Sequence, residues 1–263
     1  MSDYLIKNRE LWNNRAPVHF NSSFYDVEGF LRNTDSLKAL EKELIGDVTD
    51  KQILHLQCHF GQDSISLEKR GAIVTGVDFS TTAIELAKKL NDMAGTHVRF
   101  IESDVYSLHQ QLDEKFDMVY TTFGVLGWLP DLTRWAQTVA RFLKPGGRLV
   151  LAEFHPVVWM FDDQFRELIY DYSSQEPIIE QTEQTYAADA KLTTGTSYSW
   201  NHGIGDVVEA LTAAGLFLRS LKEYDYSPHN CFANTIEFES GKFRIQHLKA
   251  KIPMCYSILA QSP

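Results

Sequence analysis

The chain has 263 residues, enough to bury a full hydrophobic core, and at 44% hydrophobic and 23% charged its composition is that of an ordinary globular protein. Its formal net charge of −10 and pI near 5.4 argue against broad nucleic-acid binding, which needs a cationic surface to displace counterions. No apolar run approaches the roughly 20 residues that span a bilayer. The N-terminus lacks the apolar centre of a signal peptide. Three dispersed cysteines, Cys58, Cys231 and Cys255, form no zinc spacing and suit a reducing compartment, so a cytoplasmic protein is expected.

Residues 1–35 are rich in aromatics (Tyr4, Trp12, Phe20, Phe24, Tyr25, Phe30) without clear periodicity. They are expected to pack on the core as an N-terminal arm, or to form a lid. Leu37, Leu40 and Leu44 fall at helical spacing, and Ser36 is placed to cap that helix. Alternation then takes over. The pattern predicts strands over 52–57, 73–78, 98–101, 116–121 and 148–154, with helices over 62–70, 81–93 and 132–143 between them. Gly71 stops the first of these helices, Ser80 caps the second, and Lys144-Pro145-Gly146-Gly147 ends the third. Strands alternating with helices at these spacings imply a parallel sheet wrapped on both faces. Residues 156–200 break the rhythm with Trp159, Phe161, Tyr170, Tyr172, Tyr186, Tyr198 and Trp200, and are expected to form an ordered cap. A helix over 204–214 and a strand pair over 216–223 and 254–260 close the chain. The whole is expected to be one domain spanning residues 1–263.

The most informative stretch is 52–80, QILHLQCHFGQDSISLEKRGAIVTGVDFS. Strand, turn, helix, strand and acid follow one another as in a nucleotide-binding βαβ unit, with Asp78 roughly 20 residues past the turn. A carboxylate at that tip can accept both hydroxyls of a ribose. The turn, Gln57-Cys58-His59-Phe60-Gly61, has one glycine where a dinucleotide fingerprint has three. Bulky side chains thus stand where a pyrophosphate would need bare backbone. A ligand with one ribose and no phosphates tolerates them better, and S-adenosylmethionine is such a ligand. Asp78 could instead cap the next helix, and Asp104 could be a solvated loop acid. Cys58 reads more readily as an inert core thiol than as a nucleophile. His55 and His59 lie on a strand and its turn, not on a helix, so no metal is expected.

These segments together resemble the class I S-adenosylmethionine-dependent methyltransferases, over about residues 51–156. His55-Leu56-Gln57-Cys58-His59-Phe60-Gly61 is similar to that family's first motif, Gly76-Val77-Asp78-Phe79-Ser80 to its ribose motif, and Glu102-Ser103-Asp104-Val105 to its adenine motif. Phe116-Asp117-Met118-Val119-Tyr120 and Leu143-Lys144-Pro145-Gly146-Gly147-Arg148-Leu149 resemble the fourth strand and the turn into the fifth. The segments 128–131 (WLPD), 153–156 (EFHP) and 200–202 (WNH) are similar to a bacterial branch of the family. The chain departs from the general motif at His55, usually an acid, and at Gln57 and His59, usually glycines.

The resemblance implies a Rossmann-like, seven-stranded, mostly parallel sheet with helices on both faces and an antiparallel last strand. It also implies S-adenosyl-L-methionine as cofactor and S-adenosyl-L-homocysteine as product. The cofactor-binding set it implies is Gln57, Cys58, His59, Gly61, Asp78, Phe79, Ser80, Asp104, Val105 and Thr121. On the acceptor side His155 is the candidate base because imidazole titrates near neutrality, with His202 next. Tyr25, Trp128, Trp159, Trp200 and His229 are candidates for a substrate pocket, with packing as the alternative for the tryptophans. The expected reaction is methyl transfer to a small molecule by a monomer or homodimer, without nucleic-acid or membrane partners. A non-catalytic S-adenosylmethionine-binding protein and a nicotinamide-dependent oxidoreductase are the rivals.

Overall fold

A computed structural model describes residues 3–33, 35–187 and 195–263. Residues 1, 2 and 34 of the N-terminal arm and 188–194 of the aromatic-rich insertion lie outside the described residues. In chain order the elements are α1 (Asp3–Phe20), α2 (Val27–Asn33), α3 (Ala39–Ile45), β1 (Gln52–Leu56), α4 (Gln62–Lys69), β2 (Ile73–Asp78), α5 (Thr81–Ala94), β3 (Arg99–Glu102) and β4 (Phe116–Thr122). Then come α6 (Leu132–Phe142), β5 (Leu143–Phe154), β6 (Ile178–Thr182), β7 (Gly195–Ser199), α7 (Ile204–Ala213), β8 (Phe217–Tyr224), β9 (Thr235–Glu239), β10 (Lys242–Ile245) and β11 (Cys255–Gln261).

Seven strands form one sheet in the order β3-β2-β1-β4-β5-β11-β8. All neighbouring pairs from β3 to β5 are parallel, and β11 runs antiparallel between β5 and β8. This is the Rossmann-like arrangement expected, with the antiparallel strand last in the chain. Period-2 alternation delivers side chains to both faces. Leu54, Leu56, Val77, Val119, Leu149 and Leu151 pack with Trp135, Val139 and Phe142 of α6 and Val207 and Leu211 of α7. Ile53, Val74, Met118, Tyr120 and Val150 pack with Leu40, Leu44 and Ile45 of α3, Ile65 and Leu67 of α4, and Ile84 and Leu90 of α5. A strand buried on both faces reads as a continuous apolar run, which is why β1 and β4 are conspicuous in the sequence.

Three local expectations change. The helix after residue 35 begins at Ala39 behind Lys38, whose backbone N–H donates to the Glu41 carboxylate at 2.8 Å. Ser36 is too early to cap it and instead donates to Asp63 and shares a hydrogen bond with Ser66 in α4. The fifth strand starts at Leu143, which pairs with Phe116 before the 144–147 bulge; pairing resumes at Met118 with Arg148. The N-terminal arm contains an 18-residue helix, α1, which packs against α5 and β7. Its buried face holds Asn8, Leu11, Arg15, Ala16, His19 and Phe20, at helical spacing but half of it polar, so hydrophobic periodicity does not reveal it.

Candidate functional site

The strand order reverses between β1 and β4, and the crevice outside their carboxyl ends is where open α/β sheets bind ligands. Asp78 is the last residue of β2 and only 7% exposed. One carboxylate oxygen accepts from the Ser80 N–H and the other from the His59 N–H, each at 2.9 Å. Burial pushes its pKa up to about 6, against the opposing pull of the backbone N–H groups of Ser80, His59 and Phe79. A carboxylate has roughly four lone-pair sites, so two remain for a ligand. Ser80 accepts from Ala83 N at 3.1 Å, capping α5, and donates to Asn13 of α1 at 2.7 Å.

Asp78, Phe79, Ser103, Asp104 and Val105 line one side of a narrow cleft whose free volume is about 30 Å³. Gln57 lines it from the first turn, Trp128 and Leu129 from the loop after β4, and Tyr4, Leu5 and Asn8 roof it from α1. Asp104 folds its own loop, accepting from Tyr106 N at 3.2 Å and Ser107 N at 3.1 Å. Asp78 and Asp104 thus reach the cleft from adjacent strands with their backbone contacts already made.

The turn between β1 and α4 keeps a glycine-loop backbone without the glycines. Gln57, His59 and Gly61 have φ of +56°, +52° and +79°. The left-handed region costs a residue with a Cβ about 1–2 kcal/mol, so two strained residues are retained beside the cleft. A Cβ at Gly61 would lie 2.5 Å from the Phe100 ring, so a side chain there would both displace that ring and be strained at its positive φ. Gln57 donates through Nε2 to the Val125 carbonyl at 2.9 Å, bridging β1 to the loop after β4. Its Oε1 is buried with no partner, as is Oγ1 of Thr121 on the neighbouring strand β4. His59 Nε2 lies 3.0 Å from His19 Nδ1, and His19 Nε2 lies 2.5 Å from the Thr185 hydroxyl. Burial lowers both imidazole pKa values, His19 to about 3, so both are neutral and one donates to the other. Cys58 is buried and its thiol pKa is raised by burial, as befits a packing residue. His55 is buried against Ser64 Oγ at 2.8 Å and stays neutral. Among the described residues no group of three or more His, Cys, Asp or Glu side chains is arranged to hold a metal.

Residues 53–147, which carry β1 to the 144–147 turn, match the family model described as a methyltransferase domain. The likeness of this segment is to methyltransferase domains. Over 119 residues the chain is 33% identical to a ubiquinone biosynthesis O-methyltransferase of Coxiella burnetii, covering 45% of this chain and 49% of that one. Over 108 residues it is 36% identical to a demethylmenaquinone methyltransferase of Thermus thermophilus, covering 40% and 48%. The chain therefore spans about half the length of the curated relatives it matches. The fold extends further than the sequence likeness. An S-adenosylmethionine-dependent methyltransferase of Clostridium acetobutylicum superposes over 96% of this chain and 99% of its own, with a TM-score of 0.59 and 15% identity. Magnesium protoporphyrin IX methyltransferase of Synechocystis, solved with its methyl donor bound, superposes over 100% and 99%, with a TM-score of 0.57 and 14% identity.

Away from the cleft, His155, the candidate base, has both ring nitrogens in contact with the protein. Its Nδ1 accepts from Val157 N at 3.1 Å, capping a short 3₁₀ turn, and its Nε2 donates to Glu223 of β8 at 2.8 Å. With both nitrogens committed it is a strut between β5 and β8. His202 likewise gives Nε2–H to the Leu129 carbonyl at 2.7 Å, holding the loop that lines the cleft. Trp128 meets Trp12 edge-on at 5.4 Å, and Trp200 is buried edge-on to Tyr4 at 5.4 Å, so both belong to the contact with α1. Tyr25 stacks on His19 of α1 and meets His59 edge-on, so it joins the same contact, and Phe24 links it to a further aromatic group that holds His229 and Trp159. Tyr25 pairs its hydroxyl with that of Tyr186 at 2.6 Å. The His229 ring stacks on Phe24 and meets Phe123 and Phe154 edge-on, and Trp159 abuts Phe154 and Phe232.

Sequence reasoning gave no role to two parts of the site. Glu153, buried at the end of β5, accepts from the backbone N–H groups of Gly124, Val125, Leu126 and Phe154 at 2.6–3.0 Å and so holds the loop after β4. An acid ending an apolar strand was the signal available. The other part is the polar face of α1 (Asn8, Asn13, Arg15, His19), whose purpose is visible only once its partners are folded around it.

Proposed function

We propose that this chain transfers the methyl group of S-adenosyl-L-methionine to a small-molecule acceptor, leaving S-adenosyl-L-homocysteine. The observation that carries the reading is Asp78. Its carboxylate is held by two backbone N–H groups and keeps two lone-pair sites in a cleft at the switch point of a methyltransferase domain. The residues present fit the cofactor. Asp78 would accept the ribose hydroxyls and Asp104 the exocyclic amine, with Phe79 and Val105 against the adenine and Ser80 ordering the first turn of α5. The unpartnered Oε1 of Gln57, in the turn after β1, and Oγ1 of Thr121 on β4 can accept hydrogen bonds and suit the ammonium of an amino-acid tail. Cys58, His59 and Gly61 shape the loop under that tail. The relatives, a ubiquinone biosynthesis O-methyltransferase and a demethylmenaquinone methyltransferase, support a small acceptor. No described helix is long and apolar enough to cross a membrane, in keeping with a cytoplasmic enzyme.

When bound, the cofactor supplies an electrophilic methyl on a sulfonium whose leaving thioether is neutral. The protein's task is then positioning, which can supply several kcal/mol. Glu153 fixes the loop after β4, α1 roofs the cleft against water, and the aromatic group around His229 offers a planar surface on the acceptor side. His155 and His202 enter this reading as supports.

A second reading, cofactor binding without transfer, is favoured by one observation: the Gln57–Val125 bridge crosses the crevice between β1 and β4. Calorimetry with S-adenosylhomocysteine should give micromolar binding and with NAD none. Transfer of labelled methyl into a metabolite extract should then succeed. Binding without any labelled product would support the second reading, and no binding would overturn both.

A further inference from the structure

With α1 in place the cleft holds about 30 Å³ of free volume. Pockets that bury a small-molecule ligand run to roughly 300–1,000 Å³, so a nucleoside cannot enter past the helix as it lies. The α1 residues that close the cleft from above, Tyr4, Leu5 and Asn8, all belong to the N-terminal end of the helix. Entry therefore requires that this end of α1 move.

The helix consists of two unlike segments. Pro17 sits inside it and has no N–H for the carbonyl of Asn13, four residues back, so the helical ladder is broken there. Beyond Pro17 the chain is fixed to the body of the protein. Phe20 is buried in the core and meets Phe60 edge-on. His19 Nδ1 lies 3.0 Å from His59 Nε2. Asn21 Nδ2 donates to the Pro17 carbonyl at 2.8 Å and Ser22 Oγ to that of His19 at 2.7 Å, which closes the end of the helix. Before Pro17 the hold is lighter. Asn13 Oδ1 accepts from Ser80 Oγ at 2.7 Å and from Thr82 N at 3.3 Å, at the start of α5. Trp12 touches Trp128 edge-on, and Asn8 bonds to the backbone of Tyr198 on β7 rather than to the main sheet. Leu11 and Ala16 are the apolar side chains this segment buries.

We propose that residues 3–16 form a lid that hinges at Pro17, latches through Asn13 on Ser80, and must open for the methyl donor to enter or leave. The inference rests on the methyltransferase reading for the occupant of the cleft. It also gives the altered turn a task. His59 stands where the resembling motif has glycine, and its imidazole is the foot to which the fixed end of α1 is bonded. The latch adjoins the ribose acid of that reading, since Ser80 gives its N–H to Asp78 at 2.9 Å and its hydroxyl to Asn13. A lid latched both before and after binding sets the rates of entry and exit together and leaves the affinity unchanged.

The test uses full-length wild type, Asn13→Ala, which removes the latch, and Pro17→Ala, which restores the helical hydrogen bond to the Asn13 carbonyl. S-adenosylhomocysteine binding is followed by stopped-flow tryptophan fluorescence, with Trp12 and Trp128 as reporters at the lid contact. Amide exchange of α1 is followed by mass spectrometry without ligand. The wild-type association rate should reach a plateau as ligand rises. That plateau should stand about fivefold higher in Asn13→Ala, the factor one ordinary hydrogen bond carries. Its dissociation rate rises by the same factor, so the dissociation constant stays within threefold. Lid amides exchange about fivefold faster in this variant, while those of α5 are unchanged. Pro17→Ala slows both rates by threefold or more. The proposal is overturned if the wild-type rate climbs linearly with ligand to the limit of mixing, or if folded Asn13→Ala keeps both rates within twofold. It is also overturned if Asn13→Ala raises dissociation alone, which would make Asn13 an ordinary ligand contact. Wild type that binds no S-adenosylhomocysteine would instead overturn the methyltransferase reading, and amide exchange in Asn13→Ala would then decide the lid by itself.

Discussion

The pH dependence of cofactor binding follows from Asp78. With its pKa pushed up to about 6 by burial, the free protein holds this carboxyl partly protonated just below neutrality. Ribose hydroxyls that donate to Asp78 require the ionised form, so apparent affinity falls as pH drops through that value. For one proton competing with ligand, affinity at pH 5 is about tenfold weaker than at pH 8, the cost of one pKa unit. The neighbouring imidazoles do not confuse this window, since His19 sits at about 3 and His59 is also held low by burial. Stability of the free protein runs the other way. A carboxyl raised in the folded state contributes fully below its unfolded value of 3.8 and loses that contribution as pH rises through 6. Asp78→Asn removes the pH slope and two charge-assisted hydrogen bonds worth about 1.5–3 kcal/mol each, a loss of at least about 100-fold in affinity. The assay is calorimetric titration with S-adenosylhomocysteine at pH 5, 6, 7 and 8. A flat affinity across that range, or an Asp78→Asn variant within fivefold of wild type, would refute Asp78 as the ribose acceptor.

Three further outcomes are expected. Gln57→Gly relieves left-handed strain of about 1–2 kcal/mol and loses one hydrogen bond worth about 1 kcal/mol. Its denaturation midpoint should therefore barely move, while affinity for S-adenosylhomocysteine falls severalfold; tighter binding would show that the side chain obstructs the crevice. Glu41, fully buried and accepting from the Tyr120 hydroxyl at 2.5 Å, has its pKa pushed up to about 8, chiefly by burial. Wild type should accordingly lose about 2–3 kcal/mol more stability than Glu41→Gln between pH 6 and pH 9 in urea titrations; equal losses would refute the shift. His155→Ala should lower the melting temperature by several degrees through lost buried hydrogen bonds, yet keep methyl transfer within severalfold, whereas a hundredfold fall in kcat with a normal melting curve would restore it as a base.

The sheet was legible because burial on both faces writes strands as unbroken apolar runs, as in β1 and β4, and because Gly71, Ser80 and the 144–147 turn punctuate them. Asp78 and Asp104 were legible for a related reason: an acid directly after such a run stands at the carboxyl edge of the sheet, where ligands bind. The acceptor side was not legible. His155 was chosen for its place at the end of β5, and that placement holds, but whether an imidazole is free depends on its partners. Glu223, its partner, is 68 residues away in sequence. Trp128 and Trp200 illustrate the same difficulty, since only their contacts with Trp12 and Tyr4 assign them to the α1 side.

The least legible element, α1, has a physical reason for its concealment. A helix that covered the cleft with an apolar stripe would be obvious in the sequence and would bury that stripe for good. Here half of the buried face is polar, and its contacts are reversible. Asn8 exchanges two hydrogen bonds with the backbone of Tyr198, Asn13 accepts from Ser80, and His19 links His59 to Thr185. Each such bond is worth only about 1 kcal/mol net, because water replaces it when the surfaces part. Leu11, Ala16 and Phe20 supply the apolar remainder. The same face thus holds the groups that meet the altered turn: His19 bonds to His59, Asn13 to Ser80, and Arg15 brings a charge with no counter-ion among the described residues. The substitution of two motif glycines and the polar face of α1 are therefore one feature seen from two sides, with His59 standing in the space a glycine would leave open so that α1 has something to grip.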